Sequence, residues 1–286
     1  MATDTTVAGT AIGALFVLFA ILGTIFNCAV IAIVLFSRNL RSKGMYITIV
    51  GISFAGLLQS IFVNSVFAHV YLSALEWCPE FFGALVTTDV CLAVTMYCLF
   101  LLFMNHLIHQ CSPNESRERN TGIVGTILIS VLFVIILVPI IKTQSWSWSN
   151  CITLESMYFR NYNLRVGLIV VEFLLPTFLL CVGRIIIFIY EQRVVVPGGL
   201  INQRSSGVPT HLVVAALIIV ATNMPDRIFE LVRVSCSYPN SCEWMIWLPP
   251  VLQIIYLGNV VFIPFSWLLN IEFRQSFRTM LGRNQH

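Results

Sequence analysis

The chain has 286 residues, 58% of them hydrophobic and only 10% charged, with a mean hydropathy of +0.87. Soluble domains carry about a quarter charged residues, so this composition excludes a cytosolic enzyme, a disordered chain and a nucleic-acid binder. The net charge of +3 is small and scattered, which argues against a polyanionic partner and makes lipid the expected surroundings.

A bilayer core of about 30 Å takes about 20 apolar residues in helical form, so stretches without charge organise the chain. No Asp, Glu, Lys or Arg lies between Asp4 and Arg38, Lys43 and Glu76, Asp89 and Glu115, Arg119 and Lys142, Arg204 and Asp226, or Glu243 and Glu272. A further apolar run, Val166 to Tyr190, is interrupted by Glu172 and Arg184 but is long enough to cross. The predicted spans are 10–36, 45–71, 80–108, 122–142, 166–190, 210–233 and 245–269. The predicted fold is therefore an all-α membrane protein, a seven-transmembrane helix bundle over 10–269. It is preceded by a short tail, 1–9, and followed by an amphipathic segment, 270–286.

Lys and Arg in the short connections set the orientation. With the amino terminus outside, Arg38, Arg41, Lys43, Arg117, Arg119, Arg193, Arg204, Arg274, Arg278 and Arg283 fall inside, against Lys142, Arg160 and Arg165 outside. This arrangement predicts a multi-pass plasma-membrane protein with a cytoplasmic carboxyl terminus. The first ten residues lack a basic region and a small-residue cleavage site, so the first span is expected to be retained. Disulfides persist on the oxidising side, and Cys78, Cys151, Cys236 and Cys242 fall there. The expected pairs are Cys78 with Cys151 and Cys236 with Cys242, while the helical cysteines read as small packing residues.

The first span carries Gly23-Thr24-Ile25-Phe26-Asn27 and is followed by the short basic turn Ser37-Arg38-Asn39-Leu40-Arg41-Ser42. Pro176, Pro225 and Pro264 lie inside the fifth, sixth and seventh spans, and the chain closes on Asn270-Ile271-Glu272-Phe273-Arg274-Gln275-Ser276-Phe277-Arg278. In their order and spacing these features resemble a divergent rhodopsin-like G-protein-coupled receptor. The resemblance implies an extracellular ligand, a heterotrimeric G protein or arrestin as cytoplasmic partner, no cofactor and no catalysis. Met104-Asn105-His106 stands where that family has its acidic-Arg-aromatic motif, Gly56 where it has a carboxylate, and Ile263-Pro264 where it has Asn-Pro. Asn105 with His106, the turn Cys111-Ser112-Pro113 and the Asn-x-Glu-Phe-Arg ending are similar to nematode serpentine chemoreceptors. Herpesviral seven-helix receptors also lose the third-helix motif.

Residue chemistry supplies reasons independent of the likeness. A proline within a helix removes a hydrogen bond, frees a carbonyl and kinks the helix, so Pro176, Pro225 and Pro264 are candidate hinges. Asn27 and Asn259 are polar side chains within apolar spans and are expected to face other helices. Phe273, Phe277, Met280 and Leu281 recur at helical spacing with Arg274, Arg278 and Arg283 around them, the pattern of a helix lying on an anionic lipid surface.

Ionisable groups within a bilayer are costly and mark function by default. Asp89, Glu172, Asp226, Arg227 and Glu230 all fall about 5 to 15 Å below the outer surface at 1.5 Å per residue, which predicts one ligand-binding layer open to the outside. Arg227 and Glu230 can partly neutralise each other at i,i+3. Asp89 and Glu172 have no basic neighbour in their own spans, so the layer is expected to favour a cationic or hydrogen-bonding ligand. The alternative is an ion network centred on Arg227. His106 and His109 lack the further ligands that a metal site needs. The predicted function is a signalling receptor for an extracellular small molecule or short peptide. A non-signalling or constitutively active seven-helix protein, or a small transporter or channel, is the other reading. Asp89→Asn or Glu172→Gln is expected to abolish a ligand response with surface expression intact.

Overall fold

The computed structural model describes residues 2–73, 78–111, 115–144, 162–194, 209–235, 248–280 and 282. In chain order the helices are α1 (Ala2–Phe36), α2 (Arg38–Arg41), α3 (Gly44–Leu58), α4 (Asn64–Ser73), α5 (Cys78–Cys111) and α6 (Glu115–Gln144). They continue as α7 (Tyr162–Ile169), α8 (Leu175–Val194), α9 (Thr210–Ser235), α10 (Leu248–Leu257), α11 (Asn259–Trp267) and α12 (Ile271–Met280). Among the described residues there is no β-strand.

Among the described residues, six stretches are long and apolar enough to cross a bilayer: Val7–Phe36, Gly44–Leu72, Gly83–Ile108, Arg165–Ile189, Thr210–Val232 and Pro250–Trp267. The fourth expected span is a continuous helix in which the described apolar stretch runs from Asn120 to Phe133. The helix of the first span begins at Ala2, so most of the expected tail is helical.

The bundle is apolar outside and polar within. Leu18, Ile21 and Ile25 on α1, Leu128 and Ile135 on α6, and Ile185 and Phe188 on α8 are exposed, whereas Asn27, Asp89, Asn105, Arg165, Glu172, Asn223 and Arg227 are buried. Water-soluble domains show the reverse, and this arrangement is that of a membrane-spanning helical protein. The central helix is α5, which packs on α3, α6, α8 and α9. Its buried face, Leu92, Met96, Leu99, Leu102 and Phe103, recurs at three- and four-residue spacing and carries the main apolar cluster.

Two spans contain a wide turn that hydropathy does not reveal. Residues Gln59–Val63 form a π-helical turn between α3 and α4, and Val170–Leu174 form another between α7 and α8. Pro176 explains the second. It has no N–H for the carbonyl of Glu172 four residues earlier, and its ring crowds that carbonyl. The chain widens instead, and the Leu175 N–H reaches back to the carbonyl of Val170. In the first wide turn the Ser60 hydroxyl donates to the Gly56 carbonyl at 2.7 Å, competing with the backbone ladder. The last span also departs from a single rod, because α10 and α11 meet at a break at Gly258.

Candidate functional site

Near the end of the bundle away from α12, three segments bring charged side chains into one buried layer. Asp89 comes from the first third of α5, Arg165 from α7, and Arg227 and Glu230 from the last third of α9. Arg165 Nη1 donates to Asp89 Oδ2 at 2.7 Å, and Arg227 Nη2 donates to Asp89 Oδ1 at 3.0 Å. Arg227 Nη1 donates to Glu230 Oε2 at 2.8 Å, and Arg165 Nη2 donates to Glu230 Oε1. Each guanidinium thus bridges both carboxylates, and the four groups close a ring. The side chains of Asp89, Arg165 and Arg227 are 4%, 4% and 2% exposed, so the ring is held in a low-dielectric interior. The Arg227 guanidinium also lies 5.7 Å from the ring centroid of Tyr256, whose hydroxyl donates to the Thr88 carbonyl at 3.2 Å.

Two further carboxylates flank the ring. Glu172 sits in the wide turn before Pro176 and is 2% exposed. It lies within electrostatic reach of Asp89, Arg227, Arg165 and Glu230, yet its Oε2 accepts no hydrogen bond. Asp226 is half-buried and faces the same charges. Among the described residues, four carboxylates therefore share the layer with two guanidinium groups.

All five ionisable residues expected to converge do so, and a sixth joins them. The sequence places Arg165 in an outer connection, whereas in the structure it is 3% exposed and completes the ring. Asp89 therefore has two cationic partners, both from other helices. A signal for Arg165 exists in the sequence, since it precedes Glu172 by seven residues, two helical turns, and so starts on a similar face.

The middle of the bundle holds a neutral polar group. Asn27 Nδ2 donates to the carbonyls of Gly23 at 2.8 Å and Val260 at 3.0 Å. Val260 lies four residues before Pro264, so the carbonyl deprived of its helical partner by the proline is taken by Asn27 across the bundle. Gly56 leaves room for this amide, because a Cβ there would lie 2.7 Å from Asn27 Oδ1. Asn27, Gly56, Gln59, Thr95 and Asn259 border a cavity of about 10 Å³, the scale of one water. The buried atoms Gln59 Nε2 and Asn259 Oδ1 have no hydrogen-bond partner.

At the other end, Asn105 is buried and neither polar atom of its amide is paired. His106 lies within electrostatic reach of buried His211, which stands edge-on to Trp267 and 3.4 Å from the Asn270 amide nitrogen. Asn270 Oδ1 accepts from the N–H groups of Glu272 and Phe273 at 2.9 and 3.3 Å and caps α12. Lys43 Nζ donates to both Glu272 carboxylate oxygens at 2.7 Å, and Tyr46 donates to Oε2 at 3.0 Å. Partial burial raises the Glu272 pKa, but the bonds from Lys43 and Tyr46 and the charge of Lys43 outweigh it and hold the carboxyl below its ordinary range. Ser37 and Ser276 meet at 3.1 Å, a second tie between α12 and the turn after α1. Pro176 and Pro264 are buried, whereas Pro225 faces outward.

No disulfide joins the described residues; the side chain of Cys78, and Cys151, Cys236 and Cys242 entirely, lie outside them. Among the described residues no three His, Cys, Asp or Glu side chains converge as metal ligands. Neither a family model nor a curated protein matches the chain.

Proposed function

We propose that the chain is a seven-helix plasma-membrane receptor of the G-protein-coupled type, with its amino terminus outside and carboxyl terminus in the cytoplasm. A small molecule or short peptide enters from the outer end, engages the charged layer, and changes the packing of α5, α8 and α9. A cytoplasmic partner, a heterotrimeric G protein or an arrestin, reads the change at the end bearing Asn105, His106 and α12. The observation that carries this reading is the ring itself. Asp89, Arg165, Arg227 and Glu230 join three separate segments through four hydrogen bonds, so a ligand competing for any of them acts on all three segments together. Pro176 and Pro225 lie next to the layer, where a kinked helix takes up a small rearrangement at its ends.

A second reading, a non-signalling protein whose charges bind only one another, is favoured by the closure of the ring. The two separate in one experiment. Epitope tags at the two termini of intact cells, together with a ligand screen read through G-protein and arrestin reporters, are expected to give tags on opposite faces and a ligand-dependent signal lost in Glu172→Gln. Tags detected on the same face overturn the seven-span topology. A signal unaffected by substitutions in the layer overturns its role as the ligand site.

A further inference from the structure

The ring accounts for two of the four carboxylates in the charged layer. Each guanidinium directs one terminal nitrogen at Asp89 and the other at Glu230, so these four groups balance one another in charge and pair all four terminal guanidinium nitrogens. Glu172 stands outside this exchange. Its carboxylate is 2% exposed, faces two acids and two arginines of the ring, and has an oxygen with no donor. A buried carboxylate oxygen without a donor is among the most unfavourable groups a protein interior can hold. Pro176 has no N–H to offer the Glu172 carbonyl, which removes the ordinary four-residue bond at this position. Nearby, Tyr97 spends its hydroxyl on the Val171 carbonyl at 2.9 Å. The wide turn sets the direction of this side chain. It amounts to one extra residue in the helix, and without it the residues that follow would rotate by about 100° around the axis. What Oε2 lacks is a donor, and with carboxylates in excess among the described residues the donor that also settles the charge is a cation.

We propose that Glu172 anchors a site for a compact organic ammonium ion, bound beside the intact Asp89–Arg165–Glu230–Arg227 ring. The ammonium N–H groups donate to the Glu172 carboxylate, and Asp226, which faces the same ring, adds to the negative charge of the layer. An anionic ligand is disfavoured by the acids of the layer, and a neutral alcohol supplies a donor without the charge. The inference deepens the receptor reading and rests on it for the path by which a ligand reaches the layer.

The test uses the full chain in lipid nanodiscs, with melting followed by tryptophan fluorescence at constant pH and ionic strength. The probes are ammonium, methylammonium, n-butylammonium and 2-phenylethylammonium chlorides, set against n-butanol, 2-phenylethanol and sodium butanoate. At least one ammonium probe is expected to raise the melting temperature saturably, and its alcohol or carboxylate counterpart is not. Glu172→Gln is expected to weaken that response about tenfold or more, the scale of losing one charge-assisted hydrogen bond. Glu172→Asp keeps the preference for cations with lower affinity. No saturable effect from any ammonium probe, an equal effect from 2-phenylethanol, or a response that survives Glu172→Gln overturns the proposal. Should Glu172→Gln fail to accumulate, the cation preference of the native chain and of Glu172→Asp decides. A fluorophore on Arg278→Cys reports the far end independently. Glu172-dependent binding that leaves this fluorophore unchanged sinks the receptor reading and spares the site.

Discussion

Replacing Asp89 with Asn removes the acid that both arginines share. The change preserves side-chain volume, so its effect is electrostatic. Two ion pairs are lost, at 2.7 and 3.0 Å, and Arg165 and Arg227 are left to divide Glu230 while both remain almost wholly buried. Removing one partner of a buried ion pair destabilises by about 3–5 kcal/mol, mostly through the charge left behind. For a chain of this size each kcal/mol moves the melting temperature by about 2 °C, so Asp89→Asn is expected to melt about 6–10 °C lower. Arg227→Met should produce a comparable loss. The double variant should lose less than the two single losses together, with a coupling of about 1–3 kcal/mol, because each change removes the group that the other strands. The assay is thermal melting of the four proteins in the same nanodiscs. A melting point for Asp89→Asn within about 1 °C of the native protein, or strict additivity in the cycle, would refute the closed ring. The geometry also separates two substitutions that the sequence treats alike. Asp89 holds the fold together through its partners, so surface expression falls with it; Glu172 has an unpaired oxygen, and Glu172→Gln is the change that isolates the ligand response.

Three other outcomes follow from the packing. Gly56→Asp is expected to destabilise by about 1–3 kcal/mol, because even a Cβ displaces the Asn27 amide from its two carbonyls; an unchanged melting point counts against this. Gly122→Ala puts a Cβ 2.5 Å from the Gly44 carbonyl oxygen, so α6 must move off α3; melting and expression should both fall, and a neutral effect would contradict the close approach. Glu272 is held below its ordinary pKa, so its contribution to docking α12 is fully present above about pH 4.5 and is lost as pH falls through the lower folded value. A fluorophore on Arg278→Cys should therefore report undocking only in acid, Glu272→Gln should report it at neutral pH, and a docked signal in that variant would show the tie to Lys43 and Tyr46 to be dispensable.

Span counting reads the helical class well, because charge-free length and 1.5 Å per residue are all it needs. It brought Asp89, Glu172, Asp226, Arg227 and Glu230 to one level, and all of them meet in the bundle. The sequence places Arg165 outside the bundle for a physical reason. It is the residue at which the fifth apolar run begins, and a basic residue at that edge reads as belonging to the connection, although the bundle turns it inward. The wide turns at Gln59–Val63 and Val170–Leu174 were hidden because one extra residue leaves no trace where nearly every position is apolar. Asn27 and Pro264 could each be singled out, one as a donor without a partner and the other as a proline that strands a carbonyl, but only the fold shows that they answer each other.

That pairing bears on how a signal could cross the bundle. A proline in lipid leaves a carbonyl that water cannot reach, so each kink must be completed by something specific. At Pro264 the completing group is Asn27, on a helix far away in sequence, and the bond fixes α1 against α11. At Pro176 the backbone completes itself by widening, and the turn it makes carries Glu172. The first kink is therefore braced from outside its own helix, whereas the second depends on a local geometry beside a carboxylate with one unpaired oxygen. A ligand that supplies charge and a donor at Glu172 acts on the less braced of the two. Movement is accordingly expected in the segment from α7 to α8, with α1 and α11 holding their relation. Paired spin labels measure both distances directly, and a ligand that separates α1 from α11 while leaving α7 and α8 in place would reverse this order.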